Sequence, residues 1–267
     1  MIQQKARILA NDEVNSGVFL MAVHSPEVAS RAQPGQFLHL RITEGPDPLM
    51  RRPLSIFKVD TGNGSVSLLF RVVGRGTLAL SGMKMGESLD IMGPLGRGFS
   101  VPPRTRTILV VAGGMGVAPL FFLAESLIQR GASLHFLLGA RTQEQLLCRL
   151  QLRSLGVHLM ISTDDGSEGF PGLITQLLEK LLREESFDPH STFVYSAGPE
   201  PMLSQVASLA RQFEILGQIS MERQMACGVG ACLGCVVPCR SHGKGQKYRR
   251  VCADGPVFGL EEIAFQQ

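Results

Sequence analysis

The 267-residue chain is 44% hydrophobic and 18% charged, which suffices for two buried cores and a smaller appendage. A formal net charge of +3 is small and argues neither for a nucleic acid nor for an acidic membrane as partner, and with few aromatics and no Trp there is no visible stacking platform for single strands. Lys5, Arg7, Asp12 and Glu13 break up the N-terminus, which does not read as a secretory leader, so the cytoplasm is the expected compartment.

Residues 1–101 read as β-rich. Short alternating or β-branched runs at 18–23, 36–42, 55–59, 65–73 and 88–92 are separated by Gly, Pro and Asp clusters, the pattern of a small antiparallel barrel. Two stretches in it carry chemistry. Arg51-Arg52-Pro53-Leu54-Ser55 sets cations and a hydroxyl beside a stiff proline, and Gly74-Arg75-Gly76-Thr77 makes a glycine turn ahead of a short helix near Leu78. Alone, the first reads as an edge strand with exposed arginines. Together they suggest a flavin diphosphate held across the barrel face.

From about residue 102 the period changes. Apolar strands at 107–112, 134–139, 157–162 and 192–196 alternate with helical patterns at 120–128, 143–153, 172–185 and 201–213. Such alternation predicts a parallel sheet covered by helices on both faces through residue 220. Within 172–185, Leu173, Leu177 and Leu181 and, beside them, Ile174, Leu178 and Leu182 recur every four residues, an amphipathic helix. The uncharged stretch 107–124 invites comparison with a membrane span. Gly113, Gly114, Gly116 and Pro119 interrupt it, so a strand, a tight loop and a helix start explain it better.

Three loops follow strands of this half. Gly113, Gly114 and Gly116 come directly after the first strand, where glycine lets a backbone approach a pyrophosphate and the next helix offers its N–H groups. The spacing is not G-x-G-x-x-G, and a tight packing turn is the competing reading. Asp164 and Asp165 lie in a loop after a later strand, and Gly198 and Pro199 in the loop after the last. Polar or glycine-rich loops at the carboxyl ends of parallel strands are where such folds bind nucleotides. The acidic pair would repel a 2′-phosphate, so NAD is expected rather than NADP, with Asp165, Gly198 and Pro199 counted among the residues that meet it.

Residues 221–267 form a glycine- and cysteine-rich segment. Cys227, Cys232 and Cys235, with Cys252 farther on, give the C-x4-C-x2-C…C spacing of a plant-type [2Fe–2S] site. Gly228, Gly230 and Gly234 let a backbone fold tightly around a sulfur cage and aim N–H groups at it. Zinc and disulfides compete for the same thiols. A structural zinc site more often uses two close pairs, and disulfides call for an oxidising compartment and a need for staples that a chain of this size lacks. Cys239 also lies close behind Cys235, but Cys252 is preferred as fourth ligand because a separate segment supplies it in the plant-type pattern. Cys148, in a leucine-rich stretch, reads as a buried apolar thiol. None of His24, His39, His135, His158, His190 and His242 clusters with another, and none is assigned as a ligand.

In order, Arg52-Pro53-Leu54-Ser55, Gly74-Arg75-Gly76-Thr77, the 113–119 loop and Ala197-Gly198-Pro199-Glu200-Pro201-Met202 resemble the ferredoxin–NADP reductase superfamily. With residues 225–235 and 250–258 added, the whole chain resembles the electron-transfer subunits of two-subunit, NAD-linked (class 1B) dihydroorotate dehydrogenases. The resemblance implies an FAD-binding β-barrel at 1–101, an NAD-binding α/β domain at 102–220 and a [2Fe–2S] domain at 221–267. It also implies Arg52, Pro53, Leu54 and Ser55 beside the isoalloxazine, and Leu69, Phe70 and Arg71 on a second flavin-contacting strand. Gly76 and Thr77 would form the pyrophosphate turn, and Cys227, Cys232, Cys235 and Cys252 would ligate the cluster. Two departures from the wider superfamily stand out. Leu54 replaces the usual aromatic hydroxyl, and no C-terminal aromatic is placed to stack on the flavin, which leaves its nicotinamide side undefined.

NAD exchanges two electrons at once as hydride, a [2Fe–2S] cluster one at a time, and flavin either way, so FAD belongs between them. No segment of TIM-barrel size remains for a dihydroorotate site. The resemblance therefore implies an FMN-containing catalytic subunit as partner, in a heterotetramer of two of each, and a place in pyrimidine biosynthesis. An alternative is a flavin and iron–sulfur reductase subunit serving a hydrogenase, a sulfur-reducing enzyme or a ferredoxin. Another is a non-catalytic redox sensor or a zinc-stabilised binding module. Lys244, Lys247, Arg249 and Arg250 precede the fourth cysteine and suit either a docking face or a solvated basic loop.

Overall fold

Six strands close on one another in the N-terminal part: β1 (Ile2–Asn15), β2 (Val18–His24), β3 (Phe37–Arg41), β4 (Arg52–Asp60), β5 (Ser65–Arg71) and β6 (Ser88–Leu95), in the order β1-β2-β5-β4-β3-β6. The computed structural model describes residues 1–43, 45, 49–103, 105–185, 187–240 and 247–265. Every pairing in the barrel is antiparallel. Alternation along each strand fills the interior: Ala6 and Ile8 from β1, Met21 and Val23 from β2, Leu38 and Leu40 from β3, Leu68 and Phe70 from β5. β1 went unread in the sequence because only Ala6 and Ile8 of its 14 residues are buried. It nevertheless closes the barrel by pairing with β2 on one side and β6 on the other. Helices α1 (Pro26–Ala29) and α2 (Arg75–Ser81) plug into the connections.

Beyond the barrel the chain alternates as expected: β7 (Thr107–Gly113), α3 (Val117–Gln129), β8 (Leu134–Ala140), α4 (Arg149–Ser154), β9 (His158–Thr163), β10 (Phe170–Pro171), α5 (Ile174–Glu184), β11 (Thr192–Ala197), α6 (Glu200–Gln212) and β12 (Leu216–Ser220). The sheet order is β10-β9-β8-β7-β11-β12, all parallel. β7 shows why its run is continuously apolar. Ile108, Val110 and Ala112 pack under α3, while Leu109 and Val111 pack under α5 and α6 on the opposite face. Residues 143–153 do not form one helix. Leu146 and Leu147 turn into the core beneath α3, and Cys148 takes φ +58°, so only a short turn and α4 flank them. Burial pushes the Cys148 thiol up to about 12, in keeping with an apolar role.

The last segment contributes β13 (Val236–Cys239), β14 (Lys247–Arg250), α7 (Val251–Asp254) and β15 (Val257–Gly259). β15 returns to the parallel sheet and pairs antiparallel with β12, with Ser220 opposite Val257. Cys235, Val237, Val251, Cys252 and Phe258 share one core with Phe37, Met92 and Leu95 of the barrel and with α5 and α6. The cysteine segment is thus wedged between the other two units. Barrel and sheet also meet directly, through the Phe57–Phe121 stack at 4.4 Å and the Lys58–Glu125 ion pair at 2.9 Å. No helix among the described residues is long and apolar enough to cross a membrane.

One glycine fixes how α3 meets the sheet. A Cβ on Gly116 would lie 2.0 Å from the Ala197 carbonyl oxygen, a backbone atom that cannot swing away. Gly116→Ala is expected to cost about 3 kcal/mol, the upper end for overpacking. Gly114→Ala, at φ +54° but in open space, should cost about 1 kcal/mol. Denaturant titration of the two variants checks the difference.

Candidate functional site

Where barrel, sheet and cysteine segment meet, a cavity of about 890 Å³ opens, a size suited to a large cofactor. β4 and β5 form one wall with Arg52, Pro53, Leu54, Ser55, Leu69, Phe70 and Arg71, and Thr77 of α2 stands at its end. Gly76 lies directly behind Arg52, since a Cβ there would come 2.7 Å from Arg52 Nε. The Thr77 hydroxyl accepts the N–H groups of Val73 (2.9 Å) and Gly74 (3.2 Å) and so shapes the turn that enters α2. Met115 and Ala118 of the β7–α3 junction contribute a second wall.

The third wall was not legible beforehand. Residues 220–226, leaving β12, run along the cavity with Glu222, Gln224, Met225 and Ala226, and Gly234 and Pro256 join them. The only hint in the sequence was that this stretch leads without a break into Cys227. Burial raises the Glu222 carboxyl above its usual range. Charge in the cavity is otherwise cationic. Arg51 is held by a two-oxygen salt bridge to Asp90 (3.0 and 2.9 Å), and Arg223 by Glu200 at 2.8 Å. Arg52 and Arg71 line the cavity with no carboxylate partner among the described residues.

Across the inner side of the third wall lie the cysteines. Cys227 lies beside Cys232, and Cys252 lies beside Cys235 with Cys227 also near it. Among the described residues no three ligating side chains converge on a single point. The C-x4-C-x2-C…C spacing, with the fourth thiol brought in from a separate segment, suits a two-iron cluster better than a single zinc ion. Backbone amides turn inward as such a cluster needs: the Gly230 N–H donates to Cys252 Sγ at 3.1 Å and the Cys252 N–H to Cys235 Sγ at 3.4 Å. Burial would raise Cys227, but the N–H groups of Val229, Cys232 and Ala231 bring it down to about 6. Burial, then Cys235, pushes Cys252 up to about 12, so a thiolate there calls for a compensating cation. Cys239 stands apart in β13, its thiol donating to the Val237 carbonyl at 3.8 Å.

The cations before the fourth cysteine divide. Arg250 donates to both carboxylate oxygens of Asp254 and, through Nη1, to the Gly230 carbonyl at 3.1 Å, which braces the cysteine loop from inside. Arg249 pairs with Glu262 at 2.7 Å, Lys247 is exposed, and Lys244, like His242, lies outside the described residues.

At the carboxyl edge of the parallel sheet, Gly113, Gly116, Gly198 and Pro199 come together. A Cβ on Gly113 would lie 3.1 Å from Pro199 Cδ, and one on Gly198 3.1 Å from the Gly113 carbonyl oxygen. Gly114 borders them with nothing near it. The crevice falls where the strand order reverses, between β7 and β11. Asp165 follows β9, and its carboxylate accepts from Ser167 N (3.0 Å) and Oγ (2.6 Å), which holds it below the usual carboxylate range. Asp164 is exposed and its side chain has no partner among the described residues.

Another residue that sequence reasoning passed over is His39. It is fully buried, and neither ring nitrogen has a hydrogen-bond partner among the described residues. Burial, then Arg51, lowers its pKa to about 4; the carbonyls of Arg51 and Cys227 oppose this without making a well-formed bond.

Comparison with known proteins agrees with this architecture. Residues 5–99 match an oxidoreductase FAD-binding domain, residues 110–208 an oxidoreductase NAD-binding domain, and residues 222–264 the iron–sulfur cluster binding domain of dihydroorotate dehydrogenase B. The NAD(+)-type dihydroorotate dehydrogenase B electron transfer subunit of Desulforamulus reducens is 38% identical over 98% of both chains. That of Shouchella clausii is 37% identical at the same coverage. Among solved structures, the NADH-dependent reduced ferredoxin–NADP oxidoreductase of flavin-based electron bifurcation superposes with a TM-score of 0.85 at 31% identity, covering 98% of this chain and 90% of that one. A ferredoxin NADP+ reductase from Neisseria gonorrhoeae, 20% identical with a TM-score of 0.68 over 84% of this chain and 95% of its own, shares the fold.

Proposed function

The chain belongs to the family of dihydroorotate dehydrogenase B electron transfer subunits, and we propose that it carries electrons from dihydroorotate oxidation on a catalytic partner to NAD. It is an oxidoreductase subunit with FAD, NAD and iron–sulfur domains. The observation that carries the reading is a shared wall. Ala226 and Gly234 line the large cavity, and each is bonded to a cysteine of the C-x4-C-x2-C run, Cys227 and Cys235.

Arg52 and Arg71, with the turn at Gly76 and Thr77, would hold the FAD diphosphate, while Pro53, Leu54, Ser55 and Leu69 would bed the isoalloxazine. Cys227, Cys232, Cys235 and Cys252 would hold the cluster. When bound, FAD supplies the exchange between one-electron and two-electron carriers that links cluster to nicotinamide. Burial of Cys235 and Cys252 keeps water from the thiolates, and the Gly230 and Cys252 amides offset their charge. The 220–226 wall and Gly234 would stand between the flavin site and the cysteines, with Cys227 and Cys235 each one residue beyond the lining.

The partner we propose is an FMN-containing catalytic subunit, in a heterotetramer of two of each, in the cytoplasm. Purified anaerobically with that subunit, the complex should contain acid-labile sulfide, and its visible absorbance should bleach on adding dihydroorotate and recover with NAD. Iron and sulfide missing from the intact complex, or a centre that never bleaches, would overturn the reading.

At the nucleotide edge, Asp165 builds the loop and Asp164 faces outward, so Asp164 is the carboxylate we expect to repel a 2′-phosphate. Asp164→Asn should narrow the NAD-over-NADP preference in kcat/KM by roughly tenfold, about 1.4 kcal/mol of charge repulsion. An unchanged ratio would remove Asp164 from the selectivity account.

A second reading rests on the bifurcating oxidoreductase structure, which covers nearly the whole chain. There the same three sites would serve a ferredoxin-linked reductase. Reduced ferredoxin, but not dihydroorotate, would then drive NADH formation by the complex isolated from cells.

A further inference from the structure

Leu38 and Leu40 of β3 point into the barrel, which turns Phe37 and His39 outward. Directly across from His39 lie Pro53 on β4, part of the cavity wall, and Met92 on β6, part of the core shared with the cysteine segment. The imidazole meets the cysteine loop one residue beyond its first thiol. A methyl group on Gly228 would come 2.3 Å from His39 Nδ1 and 2.9 Å from Cε1, and Gly228 has φ +71°. His39 therefore sits between the flavin wall and the cluster loop.

Among the described residues neither ring nitrogen has a hydrogen-bond partner, in a site sealed from solvent. Native interiors rarely leave such groups unpaired, since a buried N–H without an acceptor loses its hydration and gains nothing in return. Leucine, as at the neighbouring positions, would avoid that cost. An acceptor that arrives with the occupant of the cysteine site accounts for the histidine. The acceptors near the ring among the described residues are the Arg51 and Cys227 carbonyls, neither of which makes a well-formed bond to it, and the Cys227 thiol belongs to the same residue as the second of them.

We propose that His39 donates a ring N–H to sulfur of the iron–sulfur site, either the Cys227 thiolate or an inorganic sulfide, and so sets the cluster potential from a strand of the flavin barrel. The proposal rests on the cysteines holding a [2Fe–2S] cluster. In either charge state imidazole keeps at least one N–H for the task. A donor to sulfur favours the reduced, more negative cluster, so its loss lowers the potential.

The test uses the complete complex, purified anaerobically, as wild type, His39→Leu and His39→Gln. Iron and acid-labile sulfide are measured first, then the cluster is titrated with reductant by EPR. Wild type without iron and sulfide would sink the cluster reading itself, separately from this proposal. With clusters intact, His39→Leu should shift the one-electron equilibrium about tenfold toward the oxidised form, about 59 mV, and His39→Gln should recover most of it. Rebuilding the cluster with selenide separates the acceptors: a His39 effect that changes points to the inorganic atom, one that persists points to Cys227. An unchanged potential in His39→Leu would overturn the proposal, leaving the ring a mere neighbour of the Cys227 carbonyl. Loss of iron in both variants would overturn it as well, because packing alone would then explain the residue.

Discussion

A Cys252→Ser variant should keep its flavin absorbance, lose its acid-labile sulfide, and reduce NAD from dihydroorotate at least ~10²-fold more slowly, since outer-shell changes alone cost up to that much. The expectation follows from how the thiols are grouped. Cys252 lies beside Cys235 and receives the Gly230 N–H at 3.1 Å, so removing its sulfur leaves the site one soft donor short. Serine is close in size, and the surrounding core of Val237, Val251 and Phe258 should hold its shape. Transfer between NADH and an artificial two-electron acceptor does not need the thiol and should persist. Cys239→Ser is the control: its sulfur bonds the Val237 carbonyl and stands apart from the C-x4-C-x2-C…C set, so iron content should be unchanged. Loss of iron in the control alone would mean that the fourth ligand has been misassigned.

The other large effect is expected at Arg52. Its guanidinium lies against Gly76 and donates to the Met50 carbonyl at 2.6 Å, with no carboxylate to neutralise it among the described residues. A diphosphate in the cavity would gain charge-assisted bonds from this fork, about 1.5–3 kcal/mol, so Arg52→Ala should weaken FAD binding roughly 10- to 150-fold. Arg52→Lys should recover only part, because an ammonium cannot grip two oxygens in plane. Fluorescence titration of flavin-stripped protein with FAD measures both. Equal affinity in wild type and Arg52→Ala would place the diphosphate elsewhere in the cavity.

What could be read in advance was what the chain encodes locally. β7 and β8 announced themselves because both faces of their sheet are covered, which forces nearly every residue to be apolar. α5 was equally plain, with Ile174, Leu177, Leu178, Leu181 and Leu182 on one buried stripe. β1 was hidden, since a barrel strand that buries two side chains shows no usable alternation. The 143–153 segment misled for the opposite reason: Leu146 and Leu147 are buried, but from a loop whose spacing imitates a helix. At the site, the spacing of Cys227, Cys232 and Cys235 is a local signal, and so is the Arg52–Ser55 run. The wall at 220–226 is not, because it exists only where the end of β12 passes the barrel. His39 is the extreme case. Its meaning depends on Gly228, far along the chain, and a single histidine in a short strand carries no pattern of its own.

The pairing of β12 with β15 has an architectural consequence. Ser220 and Val257 are opposite one another, so everything between them is the tip of an enlarged hairpin, sent out from the edge of the nucleotide-binding sheet and brought back beside its starting point. Hairpin tips accept added length cheaply, since closure entropy grows only slowly with loop size. A port for single electrons can be fitted to, or removed from, a two-electron machine at this place without rethreading the barrel or the sheet.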